Sequence, residues 1–302
     1  MLIVNTHLTP AVFMLNMGPI ILGLFLAVAG LLVVSSLLRF NIQQKKLWRS
    51  YAAEFFILAW ILMPSLLGPY YFLIMLLIMG LVISREFLQL NTNYPKADWF
   101  WLAASGTSLL LGLVLGLPAL ALLLVATTIL LVYSLLRHGT QQFVSRSTNL
   151  IFGLVYLWGP LACLWQIYQM PYGWLWVILL FFITELNDSF ALVWGAVLGR
   201  RKLAPTISPN KTIGGTVGGA LTTVLVMTAI AIKLKLGLGY AELARVLLLI
   251  PTGIAGDLIA SKIKRYYGVK DFSNLVPSQG GLLDIYDSFL FVVPLFYLIL
   301  AS

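Results

Sequence analysis

Apolar runs of about 20 residues, each closed by a short polar connection, repeat along this chain. A run of that length is what a helix needs to cross bilayer hydrocarbon. The runs predict spans at 12–38, 52–67, 70–84, 99–116, 118–135, 149–168, 174–198, 213–232, 243–260 and 281–301. Gly68-Pro69 divides the second from the third and Pro118 the fourth from the fifth, because proline lacks the N–H that would continue a helix. The expected fold is all-α: a polytopic transmembrane helix bundle of about 8–10 spans, since paired short runs can merge. The first run is too long for a cleaved signal peptide. No internal repeat or soluble domain is expected.

Composition agrees. The chain is 61% hydrophobic and 10% charged, with a mean hydropathy of +0.98, against roughly 25% charged residues in soluble domains. The net charge of +9 raises nucleic acid as a partner, but the cations follow the spans instead. With the N-terminus outside, 16 of the 19 Lys and Arg fall in cytoplasmic connections, as the positive-inside rule requires. No nucleic-acid role is expected. Cys163 is the single cysteine, and His7 and His138 are the two histidines, so neither a disulfide framework nor a His-ligated zinc centre fits.

Candidate chemistry concentrates between the last two spans. Ser261–Asp287 carries Lys262, Lys264, Arg265 and Lys270, then Gly280-Gly281, then Asp284 and Asp287. Cations followed by carboxylates at i, i+3 suit a metal–phosphate site: the acids hold a divalent cation and the bases neutralise phosphate oxygens. The plainer reading is a basic loop whose aspartates cap the next helix. Asp257 precedes this stretch, after Gly256. Most other acids sit near span ends, where solvation would explain them. Glu185 and Asp188 lie inside an apolar run beside Thr184, Asn187 and Ser189. A carboxylate there costs about 2.5–3.5 kcal/mol on insertion scales, so a cation or proton site is the expectation. Asp188, Asp257, Asp284 and Asp287 all fall on the inner half of the membrane by this topology. In the connection after 174–198, Ser208 or Thr212 can cap the next span, and Lys211 would add charge at that anion-attracting terminus. Gly214, Gly215, Gly218 and Gly219 read as tight helix packing.

These residues carry a resemblance. Asn187-Asp188 to Gly195, Lys202-Leu203-Ala204-Pro205-Thr206-Ile207-Ser208-Pro209-Asn210-Lys211-Thr212, and Ser261 to Asp287 resemble the phosphatidate cytidylyltransferases (CDP-diacylglycerol synthases). The last block is similar to their signature S-x-x-K-R-x4-K-D followed by P-x-H-G-G-x-x-D-R-x-D. The resemblance covers about the last 120 residues, in order and spacing, so 151–302 is expected to be the catalytic transmembrane region and 1–150 a set of N-terminal transmembrane helices. Three positions depart. The signature His is Gln279, the Arg after the first signature Asp is Ile285, and the acid or amide expected after Lys211-Thr212 is Gly214.

The resemblance implies that CTP and phosphatidate, or a related lipid phosphate, give CDP-diacylglycerol and pyrophosphate at the cytoplasmic face of a membrane, most naturally a bacterial inner membrane. It implies Mg2+ on Asp188, Asp257, Asp284 and Asp287, with room for a second divalent or monovalent cation. Asp257, Asp284, Asp287 and Lys264 are the expected catalytic residues. Ser208, Lys211, Thr212, Ser261, Arg265, Lys270, Gln279, Gly280 and Gly281 are the expected substrate-binding ones. A homodimer is compatible with the family, and nothing in the residues requires it. Two alternatives stand beside this: a non-catalytic relative or one with another lipid phosphate acceptor, and a cation-coupled transporter using Glu185 and Asp188.

Overall fold

In a computed structural model of the 302-residue chain, residues 9–11, 57–90, 94–233, 240–276 and 279–301 are described. The expected span at 12–38, the start of the one at 52–67, and Pro277 lie outside them. The described residues form α1 (Ile57–Leu67), α2 (Pro69–Gln89), α3 (Lys96–Val114), α4 (Ala119–Arg137), α5 (Thr140–Gln169), α6 (Gly173–Leu198), α7 (Ile213–Lys233), α8 (Tyr240–Tyr266) and α9 (Leu282–Ala301). A two-stranded antiparallel hairpin, β1 (Lys202–Ala204) and β2 (Ser208–Thr212), precedes α7. Seven of these helices, α2 to α7 and α9, are long and apolar enough to cross a membrane. Leu120, Leu124, Leu135 and Leu136 on α4 lie exposed. An apolar surface of this kind is costly in water and neutral in lipid. The chain is an all-α integral membrane protein.

The breaks fall where the sequence places them. Gly68 adopts φ +129 immediately before Pro69 at the start of α2. After α3, Gly116 sits at φ +76, and the Leu117 N–H donates to the Gly112 carbonyl at 3.0 Å. This is the left-handed helix ending that favours glycine.

The chain groups into two compact units. One comprises Met1–Leu62, Glu185–Ile250 and Val276–Gln279; the other comprises Met63–Thr184, Pro251–Leu275 and Gly280–Ser302. Within the first, α7 lies against the end of α6 through its glycines. A Cβ on Gly219 would fall 2.9 Å from the Asn187 carbonyl oxygen and one on Gly218 would enter the Trp194 side chain. The glycines are therefore packing residues. The Thr212 hydroxyl accepts the Gly215 N–H at 3.1 Å and caps α7, while Ser208 pairs opposite Ala204 in the hairpin.

The second unit is built around Trp158. It is fully buried, donates to the Ser84 hydroxyl at 2.8 Å, and fills the room left by Gly80 and Gly106. Trp158 closes a π-helical turn, Leu154–Trp158, in the middle of α5. That helix begins nine residues before the apolar run at 149–168. Ser147 donates to Ser134 at 2.8 Å and Arg146 reaches Asp98 at 3.5 Å, while Gln141 and Gln142 in the first turn are exposed. A polar first half of a helix leaves no mark in hydropathy.

Asp98 corrects the expectation that acids near span ends are solvated. It is completely buried. The Tyr133 hydroxyl donates to its Oδ1 at 2.7 Å, and His138 Nε2 lies 3.3 Å from the same oxygen. Replacing Asp98 with alanine strands a buried phenol and a guanidinium. It is expected to cost about 3 kcal/mol, read as a lower unfolding midpoint of the purified protein in detergent. An unchanged midpoint would show the cluster to be energetically idle.

Candidate active site

α8 does not stop at the end of its apolar run. It continues through Ser261, Lys264 and Arg265 to Tyr266, so the first part of the expected loop is helix. Asp257, Ser261 and Lys264 stand at i, i+4 and i+7 and share one face. Ser261 donates to Asp257 Oδ1 at 3.2 Å. The helix ends at Gly268, φ +70, where the Val269 N–H donates to the Lys264 carbonyl at 3.0 Å. Arg265 donates across this turn to the Val269 carbonyl at 3.0 Å, and Lys270 is exposed.

Asp284 gathers the loop that follows. Lys264 Nζ lies 2.7 Å from its Oδ1. The N–H groups of Phe272 and Gly281 donate to its Oδ2 at 2.7 and 2.8 Å. The contact from Gly281, the residue before α9, is the backward half of a capping box. The Lys264–Asp284 pair is largely buried, with side chains 10% and 5% exposed. The capping reading of Asp284 therefore describes its geometry, and Lys264 meets a carboxylate there.

Glu86 does the same work from α2. Reading it as a solvated span-end acid is corrected: it is only 3% exposed. It accepts from the Ser273 hydroxyl at 2.7 Å and from the Leu282 and Leu283 N–H groups at 2.9 and 2.7 Å. The first N–H groups of a helix have no partner within it, and this carboxylate supplies one. The glycine pair follows from that arrangement. Gly280 adopts φ +99, and a Cβ on Gly281 would fall 2.8 Å from the Glu86 carboxylate.

Asp257 and Asp287 stand on helices in direct contact. A Cβ on Gly256 would lie 3.1 Å from the Asp287 carbonyl oxygen and 2.5 Å from Phe291 Cβ. Asp287 is buried, and its Oδ1 accepts the Ser288 N–H at 2.6 Å. Phe181, Tyr286 and Phe289 fix the start of α9, with ring centroids 5.7 to 6.2 Å apart. The Tyr156 hydroxyl is buried and finds no hydrogen-bond partner among the described residues, within electrostatic reach of both Asp287 and Asp257. It belongs to the π turn of α5, a feature frequent at functional sites. In sequence it is one aromatic in an apolar run, and nothing local marks it.

Asp188, Ser208, Lys211, Thr212 and Gln279 belong to the first unit. Asp188 and Glu185 are half-buried on α6, Asn187 Nδ2 lies 3.5 Å from Asp188 Oδ1, and the Gln279 N–H donates to the Val276 carbonyl at 3.1 Å. Among the described residues no three His, Cys, Asp or Glu side chains are grouped to hold a metal ion. Asp257 and Asp287 stand on contacting helices, and a magnesium ion commonly takes one or two carboxylates and completes its shell with water and substrate phosphates.

The sequence profile described as the cytidylyltransferase family matches residues 48–302. The chain belongs to the cytidylyltransferase family. It is 34% identical over 188 residues to a phosphatidate cytidylyltransferase of Bacillus subtilis (strain 168), covering 62% of this chain and 70% of that protein. It is 40% identical over 125 residues to one from Staphylococcus epidermidis (strain ATCC 35984) and 39% to one from Staphylococcus aureus (strain COL). Each of those two matches covers 41% of this chain and about half, 48%, of the relative.

Glu86 tests this arrangement in a member of the cytidylyltransferase family as a folded object. Glu86→Ala leaves two buried N–H groups without an acceptor and is expected to cost about 3 kcal/mol. Amide hydrogen exchange at Leu282 and Leu283 should rise with it. Unchanged protection at those two amides would contradict the capping role.

Proposed function

We propose that the protein is a phosphatidate cytidylyltransferase that makes CDP-diacylglycerol and pyrophosphate from CTP and phosphatidate, with magnesium as its metal. Family membership supports the reaction class. The observation that carries the site is the contact of α8 with α9 at Gly256, which sets Asp257 and Asp287 on facing helices beside the Lys264–Asp284 pair. The positive-inside distribution supports a cytoplasmic site in a bacterial inner membrane.

In this reading a phosphate oxygen of the lipid attacks the α-phosphorus of CTP. The new P–O bond forms as the bond from that phosphorus to the bridging oxygen breaks, and pyrophosphate leaves. Bound magnesium would offset phosphate charge and fix the geometry of the displacement. The chain's own work is to position two polyanions. Asp257 and Asp287 would hold the metal, with Asp188 reserved for a further cation, and Tyr156 would orient the carboxylates. Asp284 meets Lys264 and two backbone amides as placed, so its metal role would require Lys264 to turn to a phosphate. Within the second unit Arg265 and Lys270 would supply phosphate contacts, with Ser261 and the Gly280-Gly281 turn shaping the pocket; the resemblance assigns substrate contacts to Ser208, Lys211 and Thr212 of the first unit as well. Gln279 can donate a hydrogen bond but carries no charge, and Ile285 removes a bidentate donor. These departures point to altered acceptor contacts. A homodimer is compatible with this scheme and plays no part in it.

The deciding experiment is transfer of label from CTP to phosphatidate by the purified full chain with magnesium. Label should appear in lipid and vanish in Asp287→Asn, while that variant keeps its unfolding midpoint. A wild-type protein that labels no lipid phosphate would overturn the reading. Tyr156→Phe should raise the magnesium concentration needed for half-maximal rate about tenfold, with a matching loss of magnesium-induced thermal stabilisation. An unaltered magnesium requirement would remove Tyr156 from the site.

A further inference from the structure

α2 and α3 enclose a groove of about 510 Å³ lined by Arg85, Gln89, Tyr94, Lys96, Trp99 and Phe100, with Leu88 and Pro95. Its charge is one-sided. Arg85 and Lys96 are both exposed, and among the described residues no carboxylate lines the cavity. The acids nearest in sequence are turned to other tasks: Glu86 caps α9 and Asp98 is buried against Tyr133, Arg146 and His138. Two cations are thus left facing the same space.

The rest of the lining is aromatic. Trp99 is held to α2 by its Nε1–H, 3.3 Å from the Leu81 carbonyl oxygen, and Phe100 is 59% exposed. Burial pushes the Tyr94 phenol up to about 12, so it stays a neutral donor at physiological pH. Tyr94 also lies within electrostatic reach of Tyr267, just past the end of α8. Cations and aromatic rings at the ends of membrane helices match the chemistry of the headgroup layer. The positive-inside rule explains the two charges alone; it explains neither the cavity nor the rings.

We propose that this groove binds the headgroup of an anionic phospholipid, with Arg85 and Lys96 on the phosphate and Trp99 and Phe100 against the glycerol and upper acyl chain. Basic pockets between membrane helices bind lipid headgroups in this way, and the volume lies within the range of small-molecule sites. The proposal stands on the groove and does not require the cytidylyl-transfer reaction.

Native mass spectrometry of the detergent-purified full chain, titrated with phosphatidate, tests it. The double variant Arg85→Gln/Lys96→Gln should bind its tightest phosphatidate about tenfold more weakly than wild type. Phosphatidylcholine should distinguish the two proteins little, and the charge-keeping Arg85→Lys/Lys96→Arg variant should recover most of the binding. Equal retention of phosphatidate by wild type and double variant overturns the proposal. So does displacement of the lipid by millimolar inorganic phosphate, which would mark a site for free anions. Both charges sit at the surface, and an unchanged unfolding midpoint separates lost binding from lost fold. No turnover is needed, so a protein inactive toward CTP leaves the result readable.

Discussion

The second unit depends on where the first amides of its last helix find acceptors. α9 is apolar and packed on aromatic side chains, its leading N–H groups are partly or fully withdrawn from water, and an unmet buried amide is costly. Glu86 reaches from α2 to take two of them, and Asp284 turns back to take a third. Both carboxylates also hold the preceding loop, Glu86 through Ser273 and Asp284 through Phe272. The glycine pair is a consequence: one residue supplies the turn and the other makes room for Glu86. Asp287 is placed one turn further along α9. The position of a candidate metal ligand therefore rests on a carboxylate nearly two hundred residues earlier in the chain.

Much of the helix order could be read from the sequence. Apolar length, Gly68-Pro69 and Pro118 located α2 to α4, and the glycines of α7 declared close packing. What escaped had one physical cause. A polar side chain that finds its partner far along the chain looks, in sequence, like one facing water. Asp98 and Glu86 belong to that class, as do Arg146 and Ser147 of α5 and Lys264 of α8. Motif spacing named Asp257, Lys264, Asp284 and Asp287, yet it could not say that Lys264 meets Asp284 and that Asp257 is carried to Asp287. Tyr156 and the groove were illegible for a related reason: each is defined by a space between helices, and hydropathy records none.

The Lys264–Asp284 pair bears on how such a site could handle highly charged substrates. A cluster of buried acids without a cation would repel itself and raise the cost of folding. Pairing one acid with a lysine and two backbone amides lowers that cost. The cation is also mobile in principle: lysine is a point charge on a flexible stem. An arriving phosphate can compete for it while the amides keep Asp284 in place. Pairing of this kind lets one constellation be stable when empty and complementary when filled.

The placement of charge elsewhere follows the same economy. α8 uses one face for Asp257, Ser261 and Lys264, and closes its end with Arg265 on its own turn. Arg265 is thereby drawn partly into backbone support, while Lys262 and Lys270 remain at the surface. Of the signature cations, Lys264 and Arg265 thus carry contacts within the fold, and Lys270 stays exposed. Arg85 and Lys96 fall outside the signature altogether, on the helix pair whose acids are spent on structure. In a chain with ten acids against nineteen bases, burying Glu86 and Asp98 leaves that face of the second unit positive. A surface biased in this way would attract anionic lipid headgroups.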